Sequence, residues 1–356
     1  MSVTIRDVAR EARVSVATVS RAFNNSGPVF EETRRRVHEA ALNLRYAPNG
    51  AARSLITSRT NTLGVLLPEL YGEFFSEVIR GIDQTARRKG YHLLISSSHS
   101  DRSEIEATLR AMRGRVDGLI VMSPDIDGKS LVANLPESLP VVVLNSAIGD
   151  VTFDSLNLDN FGGARAMVQH LIDSGHKRVA IIKGPERNHD AAERLRGYWA
   201  ALQSARMDRD PHYEADGDFT ETGGFRAAVA LLKRSPRPTA IFAANDSMAI
   251  GALSALHQAG VSVPRGMAIA GFDDIPMAQY TNPPLSSVHV AINELGERAT
   301  ETLLQVVWEK SRHVRRHDVL GTTIVIRESC GGRPRDGGLV QDMKARSVIF
   351  TQEEAI

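Results

Sequence analysis

Three stretches near the amino terminus carry apolar residues at helical spacing. They cover about residues 5–12, 16–23 and 31–44. Thr4 and Ser15 stand where the N-cap residues of the first two helices belong. A short turn at Arg13 and Val14 separates these helices, so the pattern predicts a three-helix helix-turn-helix unit whose second helix can enter the major groove of DNA.

From Thr62 onward, short apolar runs typical of strands alternate with amphipathic stretches typical of helices. The first series of apolar runs is 63–67, 92–95, 118–121 and 141–144, and the second is 179–182, 240–243 and 268–271. Buried strands that alternate with helices indicate parallel sheets covered on both faces. The two series therefore predict two similar doubly wound α/β subdomains, with a boundary near Asp159 and chain crossovers between about 290 and 325.

The formal net charge of +1 over 356 residues hides an asymmetry. Residues 1–60 contain ten arginines against five acidic residues, a balance of +5, so the remainder carries −4. A basic module at one end indicates an anionic partner, although a solvated arginine-rich helix face is the alternative. The single cysteine, Cys330, excludes an intrachain disulfide, and no apolar run reaches the ~20 residues of a membrane span. Because the start lacks a signal-peptide core, we expect a cytoplasmic protein with no membrane partner.

A family resemblance lies in the amino-terminal motif and continues to about Gly332. The motif reads Thr4-Ile5-x-Asp7-Val8-Ala9, then Val14-Ser15-Val16-Ala17-Thr18-Val19-Ser20-Arg21, then Asn24, then Tyr46-x-Pro48-Asn49-x-x-Ala52-Arg53-x-Leu55. It resembles the lactose/galactose repressor family of bacterial transcription regulators. The resemblance implies a helix-turn-helix DNA-binding domain followed by a core similar to periplasmic sugar-binding proteins, which close on a ligand by a hinge.

The implied organisation has four parts. Residues 1–48 form the DNA-binding domain and 49–60 a hinge helix or linker. The effector-binding core is 61–332, with one subdomain from about 61–159 and 291–320 and the other from about 160–290 and 321–332. Residues 333–356 are expected to form a flexible tail.

Within the DNA-binding domain, residues with small or planar hydrogen-bonding groups suit phosphate oxygens, which position the domain without reading sequence. They are Thr4, Ser15, Thr18, Ser20, Asn24, Thr33, Tyr46 and Asn49. The family reads bases with the positions of Val16, Ala17 and Arg21, where arginine can bond guanine and small apolar groups can meet thymine methyls. Ser15 could equally be a plain N-cap.

Two residues of the DNA-binding domain depart from the family pattern, as does Val290 in the core, where the family frequently has glutamine. Arg13 stands where the family usually has glycine in the turn, so a positive φ there would cost on the order of 1 kcal/mol. Phe30 stands where a serine or threonine usually caps the third helix, which removes a cap of roughly 1 kcal/mol. Both changes concern the stability of the domain, since neither touches its reading face.

The linker is too short for a stable isolated helix, because helices under about 12 residues are marginal in water. In the family, the equivalent segment becomes a helix on operator DNA, pairs with its dimer mate and inserts a leucine into the minor groove. Leu55 occupies that position, and Ala52 and Arg53 flank it. The alternative for Leu55 is packing on its own domain.

Ligands of open α/β sheets bind at the carboxyl ends of the strands. The candidate effector-binding residues in such positions are Phe74, Phe75, Asn145, Arg194, Phe219, Asn245 and Asp273, five of which also match family motifs or resemble them. Amides, carboxylates and an arginine among aromatic faces suit the hydroxyls and ring faces of a polyol. The alternatives are helix caps for Asn245 and Asp273, with Asp246 favoured as the cap, a solvated helix face for Arg194, and core packing for Phe74 and Phe219.

These residues predict a homodimeric repressor of carbohydrate-utilisation genes that a sugar releases from palindromic, double-stranded operator DNA. The small-molecule effector could instead be a purine-like corepressor, and the core by itself would also suit a sugar-binding protein of transport. We expect neither an enzyme nor a cofactor, because no phosphate-binding loop, catalytic triad motif or metal motif is present. His313 and His317 lie four residues apart in a basic stretch that we expect to be an exposed loop.

Overall fold

The computed structural model describes residues 3–24, 27–47, 59–98, 101–123, 128–145, 153–309 and 313–331. The chain forms two compact units: the first extends to Asn61 and includes Gly114–Asp117, and the second contains the rest of the chain from Thr62. The first unit is helical, whereas the second contains two sheets with helices on their faces.

The first unit contains helices α1 (Ile5–Glu11), α2 (Val16–Asn24) and α3 (Glu31–Asn43). Their apolar stripes meet in a small core that is closed to solvent at Val8, Val19 and Val37. The other buried members are five alanines, and half-buried side chains that include Phe23 and Tyr46 pack against them. The predicted helix-turn-helix is confirmed, with helix ends within one residue of the sequence pattern.

The first sheet of the second unit has six parallel strands in the order β11-β5-β4-β3-β1-β2. They are β1 (Thr62–Leu67), β2 (His92–Ser97), β3 (Gly118–Met122), β4 (Val141–Leu144), β5 (Asp154–Leu158) and β11 (His317–Leu320). Every residue of the central strands β3 and β4 is buried, as expected of a sheet covered on both faces.

The second sheet repeats this architecture in the order β12-β10-β9-β8-β6-β7. Its strands are β6 (Val179–Lys183), β7 (Glu214–Asp216), β8 (Ala240–Ala243), β9 (Ala268–Asp273), β10 (Ser286–His289) and β12 (Thr323–Val325). All pairs are parallel except β10 with β12, which are antiparallel. The predicted pair of doubly wound parallel-sheet subdomains is confirmed, with one antiparallel edge that the sequence pattern did not predict.

The connecting helices alternate with the strands. They are α4 (Glu73–Arg88), α5 (Arg102–Met112), α6 (Gly128–Asn134), α7 (Asn160–Asp173), α8 (His189–Ser204), α9 (Glu221–Leu232), α10 (Asp246–Gln258) and α11 (Ile292–Glu309). Helix α11 packs closely on α4, where a Cβ on Gly81 would lie 2.1 Å from the backbone oxygen of Asn293. This close approach requires glycine at position 81. Helix α11, which follows β10 of the second sheet, therefore packs in a helix layer of the first sheet.

The chain passes between the sheets three times. It crosses after β5, again between β10 and α11, and finally between β11 and β12. Each half therefore draws strands from separate parts of the sequence, and three connections join the halves, an arrangement compatible with hinge motion. The subdomain limits inferred from sequence stay predictions.

Candidate functional site

One face of α2 is exposed and presents the residues expected to read bases. Val16 is 41% exposed, and Ala17 and Arg21 are also exposed, whereas Val19 and Ala22 on the opposite face are buried in the helical core. The Arg21 Nε donates to the carbonyl oxygen of Ala17 at 3.3 Å, so its guanidinium lies along the exposed face. This face has the size and chemistry of a recognition helix.

The hydroxyl groups at the helix starts are already partly occupied. Ser15 Oγ accepts from the Thr18 backbone N–H at 3.1 Å and also lies 2.9 Å from Thr18 Oγ1, so Ser15 does cap α2. Thr4 Oγ1 donates to Asp7 Oδ2 at 2.7 Å, and hydrogen bonding by Thr4 lowers the pKa of Asp7. A phosphate oxygen can only accept a hydrogen bond. The Thr4 hydroxyl could therefore bond a phosphate only by ceasing to donate to Asp7.

The remaining residues of the predicted DNA-contacting set are half-buried. Asn24 Nδ2 donates to Ser20 Oγ at 3.3 Å within α2. Thr33 lies in the first turn of α3, and the ring of Tyr46 lies 6.1 Å from that of Phe23 in the helical core. The predicted hinge residues lie outside the described part of the chain; they are Asn49, Ala52, Arg53 and Leu55.

Both departures from the family pattern have the structural effect expected of them. Arg13 has a φ of 53°, so a side-chain-bearing residue occupies the left-handed conformation that favours glycine. Phe30 occupies the N-cap position of α3, makes no capping hydrogen bond and is 86% exposed. The amino-terminal unit therefore carries backbone strain at the Arg13 turn and a third helix without a side-chain cap.

The second unit contains a cavity of about 130 Å³ between its two sheets, at the carboxyl ends of the strands. Residues that precede or begin α4 line one side, and residues after β6, β8 and β9 line the other. All seven residues expected at the effector site lie in this lining: Phe74, Phe75, Asn145, Arg194, Phe219, Asn245 and Asp273. The structure thus brings together side chains that are up to 199 positions apart in the sequence, from Phe74 to Asp273.

Arg194 is the centre of a buried polar network. Its Nε donates to Asn160 Oδ1 at 2.8 Å, its Nη1 donates to the Ala244 carbonyl oxygen at 2.6 Å, and its Nη2 lies 3.0 Å from Asp273 Oδ1. The guanidinium also lies 3.8 Å from the centre of the Phe272 ring. Only 3% of Arg194 is exposed, so the alternative of a solvated helix face is wrong.

Buried carboxyl groups surround this arginine. Burial raises the pKa of Asp273 to about 6, although the Arg194 guanidinium beside it pulls that pKa down. Burial likewise raises the pKa of Asp190, which also lines the cavity and accepts from Asn160 Nδ2 at 2.8 Å. Behind the lining, burial and the charge of Asp273 raise the pKa of Asp246 well above its usual range. The site therefore contains acids that bind protons more readily than ordinary carboxyl groups.

Backbone strain is concentrated in the same lining. Asn145, Phe219 and Asp273 have φ values of 45°, 66° and 104°, in the region that favours glycine. The Phe219 ring fills the space beside Gly184, where a Cβ would lie 2.5 Å from it. Strained residues persist where the surrounding structure holds them, and they cluster at ligand sites.

The helix start at Asn245 differs from the sequence-based expectation. Asn245 is the N-cap of α10, since its Oδ1 accepts from Met248 N–H at 2.9 Å, so the cap role expected for Asp246 was wrong. Asp246 is instead fully buried and accepts from Ser287 Oγ at 2.6 Å and from Ile275 N–H at 2.9 Å. Asn245 Nδ2 also donates to the Phe219 carbonyl oxygen at 3.1 Å, so one amide holds two segments of the lining together.

The expected exposed loop around the two histidines is present at residues 314–316, which are irregular and exposed, but His313 departs from it. The side chain of His313 is only 5% exposed and its Nε2 lies 2.7 Å from Asp154 Oδ1, while His317 begins strand β11. Within the described residues, no three or more His, Cys, Asp or Glu side chains are arranged to hold a metal ion. Nor does the described part of the chain contain a helix long and apolar enough to cross a membrane.

Several lining residues were missed from sequence. They are Pro68, Tyr71, Gly72, Glu73, Met122, Asn188, Asp190, Thr220, Ser247 and Ile275. Most lie within a few residues of one that was expected, at helix starts that the same strand-end rule reaches. Asp190 had a usable signal, since it stands one turn before Arg194 on the same helix face.

A helical DNA-reading unit and a hinged two-sheet core with a ligand-sized cavity, in one chain, define a ligand-responsive DNA-binding regulator. Comparison with known proteins specifies this class. Residues 4–49 match the model of bacterial regulatory proteins of the lacI family, and residues 168–330 match that of a periplasmic binding protein-like domain. The chain belongs to the lacI family of bacterial transcription regulators.

Two relatives illustrate the range of the family. The ribose operon repressor of Haemophilus influenzae is 36% identical over 92% of this chain and 98% of its own length. The transcriptional repressor PurR of Aliivibrio salmonicida is 33% identical over 92% of this chain and 98% of its own length. The relatives are thus full-length transcriptional repressors of similar size.

Two solved structures are also similar. A lac repressor dimer bound to operator and an anti-inducer has a TM-score of 0.83 at 28% identity, covering 93% of this chain and 99% of that one. A lacI-family regulator from Enterococcus faecium with bound ribose has a TM-score of 0.69 at 26% identity, covering 75% of this chain and 98% of that one. The predicted family and fold are confirmed.

Proposed function

We propose that this protein is a homodimeric repressor of carbohydrate-utilisation genes, released from a palindromic operator when a sugar binds between its core subdomains. The observation that carries the proposal is the cavity that collects Arg194, Asp273, Asn245 and aromatic rings around one space. Relatives named ribose operon repressor and a ribose-bound neighbour support a sugar as the ligand. We retain the organisation into a DNA-binding domain at 1–48, a hinge at 49–60, a core at 61–332 and a tail.

On the DNA side, we propose that Val16, Ala17 and Arg21 read bases, because they form the exposed face of α2. The polar residues around them, with Asn49 of the linker, would hold phosphates. Leu55, flanked by Ala52 and Arg53, would enter the minor groove. A two-fold dimer requires a palindromic site, and the similar lac repressor was solved as a dimer on operator.

The charge of the cavity indicates an uncharged effector. Among the described lining residues, three acids, Glu73, Asp190 and Asp273, face one cation, Arg194. That cation already neutralises Asp273 at 3.0 Å, so a phosphate or carboxylate on the ligand would meet no free positive charge. Hydroxyl groups can donate to the carboxylates of Asp190 and Asp273 and accept from the arginine, whereas Phe74, Phe75 and Phe219 offer ring faces.

Ligand binding would work through the hinge. A sugar that contacts both halves binds more tightly to one relative arrangement of the subdomains than to another, and it shifts the population by that difference. The changed spacing of the two hinge segments in the dimer would then oppose their helical, DNA-bound form. The protein would have no catalytic role in this scheme, and operator binding would place it with the nucleoid in the cytoplasm.

The second candidate is a corepressor-dependent regulator with a purine-like ligand. The observations that favour it are the similarity to PurR and the aromatic lining, which can stack on a flat base as well as on a sugar ring. Its consequence is opposite, since the ligand would strengthen DNA binding.

One experiment separates the candidates. The full-length protein is used to select from a library of palindromes with a central C·G step at fixed salt, and the selected site is titrated with D-ribose, ribose 5-phosphate, other sugars and hypoxanthine. Release by an uncharged sugar, with the phosphate ester inactive, supports the proposal. Tighter binding with hypoxanthine supports the second candidate, and an absence of sequence preference would contradict both.

A further inference from the structure

A carboxylate from the first subdomain contacts the second subdomain at the cavity. Glu73 is the first residue of α4, on the side of the cavity that belongs to the first sheet. Its Oε2 accepts a hydrogen bond from the backbone N–H of Met277 at 2.8 Å. Met277 lies in the 3-10 turn Pro276–Tyr280, which follows β9 of the second sheet. This bond therefore joins the two subdomains across the cleft.

The turn needs a hydrogen-bond acceptor at its start. Helical turns begin with backbone N–H groups that have no partner within the turn, and a negative charge is favourable there. The N-cap residue Ile275 supplies no side-chain bond, and Pro276 has no N–H, so Met277 provides the first free donor. Glu73 therefore caps a turn in the opposite subdomain.

The capped turn is directly connected to the effector site. Ile275 lines the cavity, and its N–H donates to the buried carboxyl group of Asp246 at 2.9 Å. Asp273, the partner of Arg194, lies four residues before Met277. The segment is thus bound by Asp246 from its own subdomain and by Glu73 from the other.

We propose that Glu73 is a closure residue, whose cap on the Pro276–Tyr280 turn stabilises the closed cleft and so increases effector affinity. The inference rests on the proposed function for its effector. Glu73 would be a positioning residue, because it would affect ligand binding through the relative arrangement of the two subdomains. This role needs no direct contact between Glu73 and the sugar.

The size of the effect follows from population arithmetic. One hydrogen bond contributes a two- to tenfold factor, and the apparent dissociation constant rises as the closed fraction falls. We expect Glu73→Ala to raise the apparent Kd for D-ribose by roughly two- to tenfold, mainly through faster dissociation. Glu73→Gln keeps an acceptor oxygen and should retain most of the affinity. Glu69→Ala removes a nearby exposed carboxylate and should leave the affinity unchanged.

The test combines ribose titration calorimetry and stopped-flow displacement with hydrogen exchange of the ligand-free, full-length protein. Exchange in the peptide containing Met277 should accelerate roughly two- to tenfold in Glu73→Ala and remain near wild type in Glu73→Gln and Glu69→Ala. A merely structural defect in α4 would instead accelerate exchange within α4 itself.

The ribose titration and the hydrogen-exchange measurement test the sugar effector and the closure role independently. A wild-type protein that binds no D-ribose contradicts ribose as the effector, while exchange at Met277 still decides whether the cap exists. Unchanged exchange at Met277 in Glu73→Ala overturns the closure role whether or not ribose binds. Equal losses of affinity in Glu73→Ala and Glu73→Gln also overturn it, because they would mean that the charge of Glu73 acts on the ligand.

Discussion

The buried carboxyl group of Asp273 gives an unusual stability prediction: Asp273→Asn should make the core more stable at neutral pH. Folding raises the pKa of Asp273 from 3.8 to about 6, chiefly through burial and despite Arg194. Since one pKa unit corresponds to about 1.4 kcal/mol, the ionised form destabilises the folded core by about 3 kcal/mol relative to the protonated form. Asparagine resembles the protonated form and tolerates the φ of 104° at this position.

The direction of the pH dependence follows from the raised pKa. The stability that the protonated carboxyl group contributes is fully present below pH 3.8 and is lost as the pH rises through about 6. The wild-type protein and Asp273→Asn should therefore be similar near pH 4, whereas the variant should gain about 2–3 kcal/mol by pH 7.5. Its affinity for ribose should fall roughly tenfold or more, because a charged acceptor becomes a neutral one.

Urea unfolding of both proteins, followed by circular dichroism from pH 4.5 to 7.5, measures this difference. Asp218→Asn is the matched control, because hydrogen bonds from Thr220 and the charge of Arg226 lower the pKa of Asp218 despite partial burial. The same substitution there should destabilise the protein at neutral pH. An Asp273→Asn protein that is less stable than wild type at pH 7.5, or a difference independent of pH, would refute the reasoning.

Three further predictions concern the DNA-binding unit. Phe30→Ser should stabilise the amino-terminal unit by about 1 kcal/mol, since an 86% exposed side chain is replaced by an N-cap of α3. Amide exchange at Glu32 and Thr33 measures the gain in stability, and unchanged protection there would count against the prediction. Arg21→Ala should cost about 1–3 kcal/mol of operator affinity and relax the preference at one base pair per half-site, which repeat selection would detect. Leu55→Ala should weaken specific binding while leaving ribose affinity intact; unchanged operator affinity would argue against insertion in the minor groove.

Much of the fold follows from patterns that local physics makes visible. The strands β1, β3, β4, β6, β8 and β9 are apolar runs because both faces of each sheet are covered. The strands missed from sequence are different. They are β5, β7, β10, β11 and β12. Strand β5 contains polar residues, and β10 begins with Ser286 and Ser287, whose hydroxyl groups are bonded inside the core. Strands β7 and β12 have three residues each, and β11 is mostly exposed. Polar or exposed strands carry no apolar signal.

The cavity likewise contains features that local sequence patterns predict and features that depend on distant partners. The strand-end rule and the family motif predicted seven residues that the structure places together, because parallel strands direct their carboxyl ends to one edge. The exchange of roles between Asn245 and Asp246 could not be predicted, since either residue type caps a helix and the choice depends on a buried partner, Ser287, 41 positions away. The contact of Glu73 with Met277 depends on the angle between subdomains, which no local pattern encodes.

The third crossover has a consequence for synthesis of the protein. Strands β11 and β12 supply an edge to each sheet, yet they lie within residues 317–325. A ribosome that has released only the first 310 residues has therefore made neither sheet complete, and β5 and β10 are left with unpaired backbone groups that can pair with another chain. Nascent chains and truncations that end before β11 should consequently depend on chaperones or aggregate, even though they contain all the described residues that line the effector cavity.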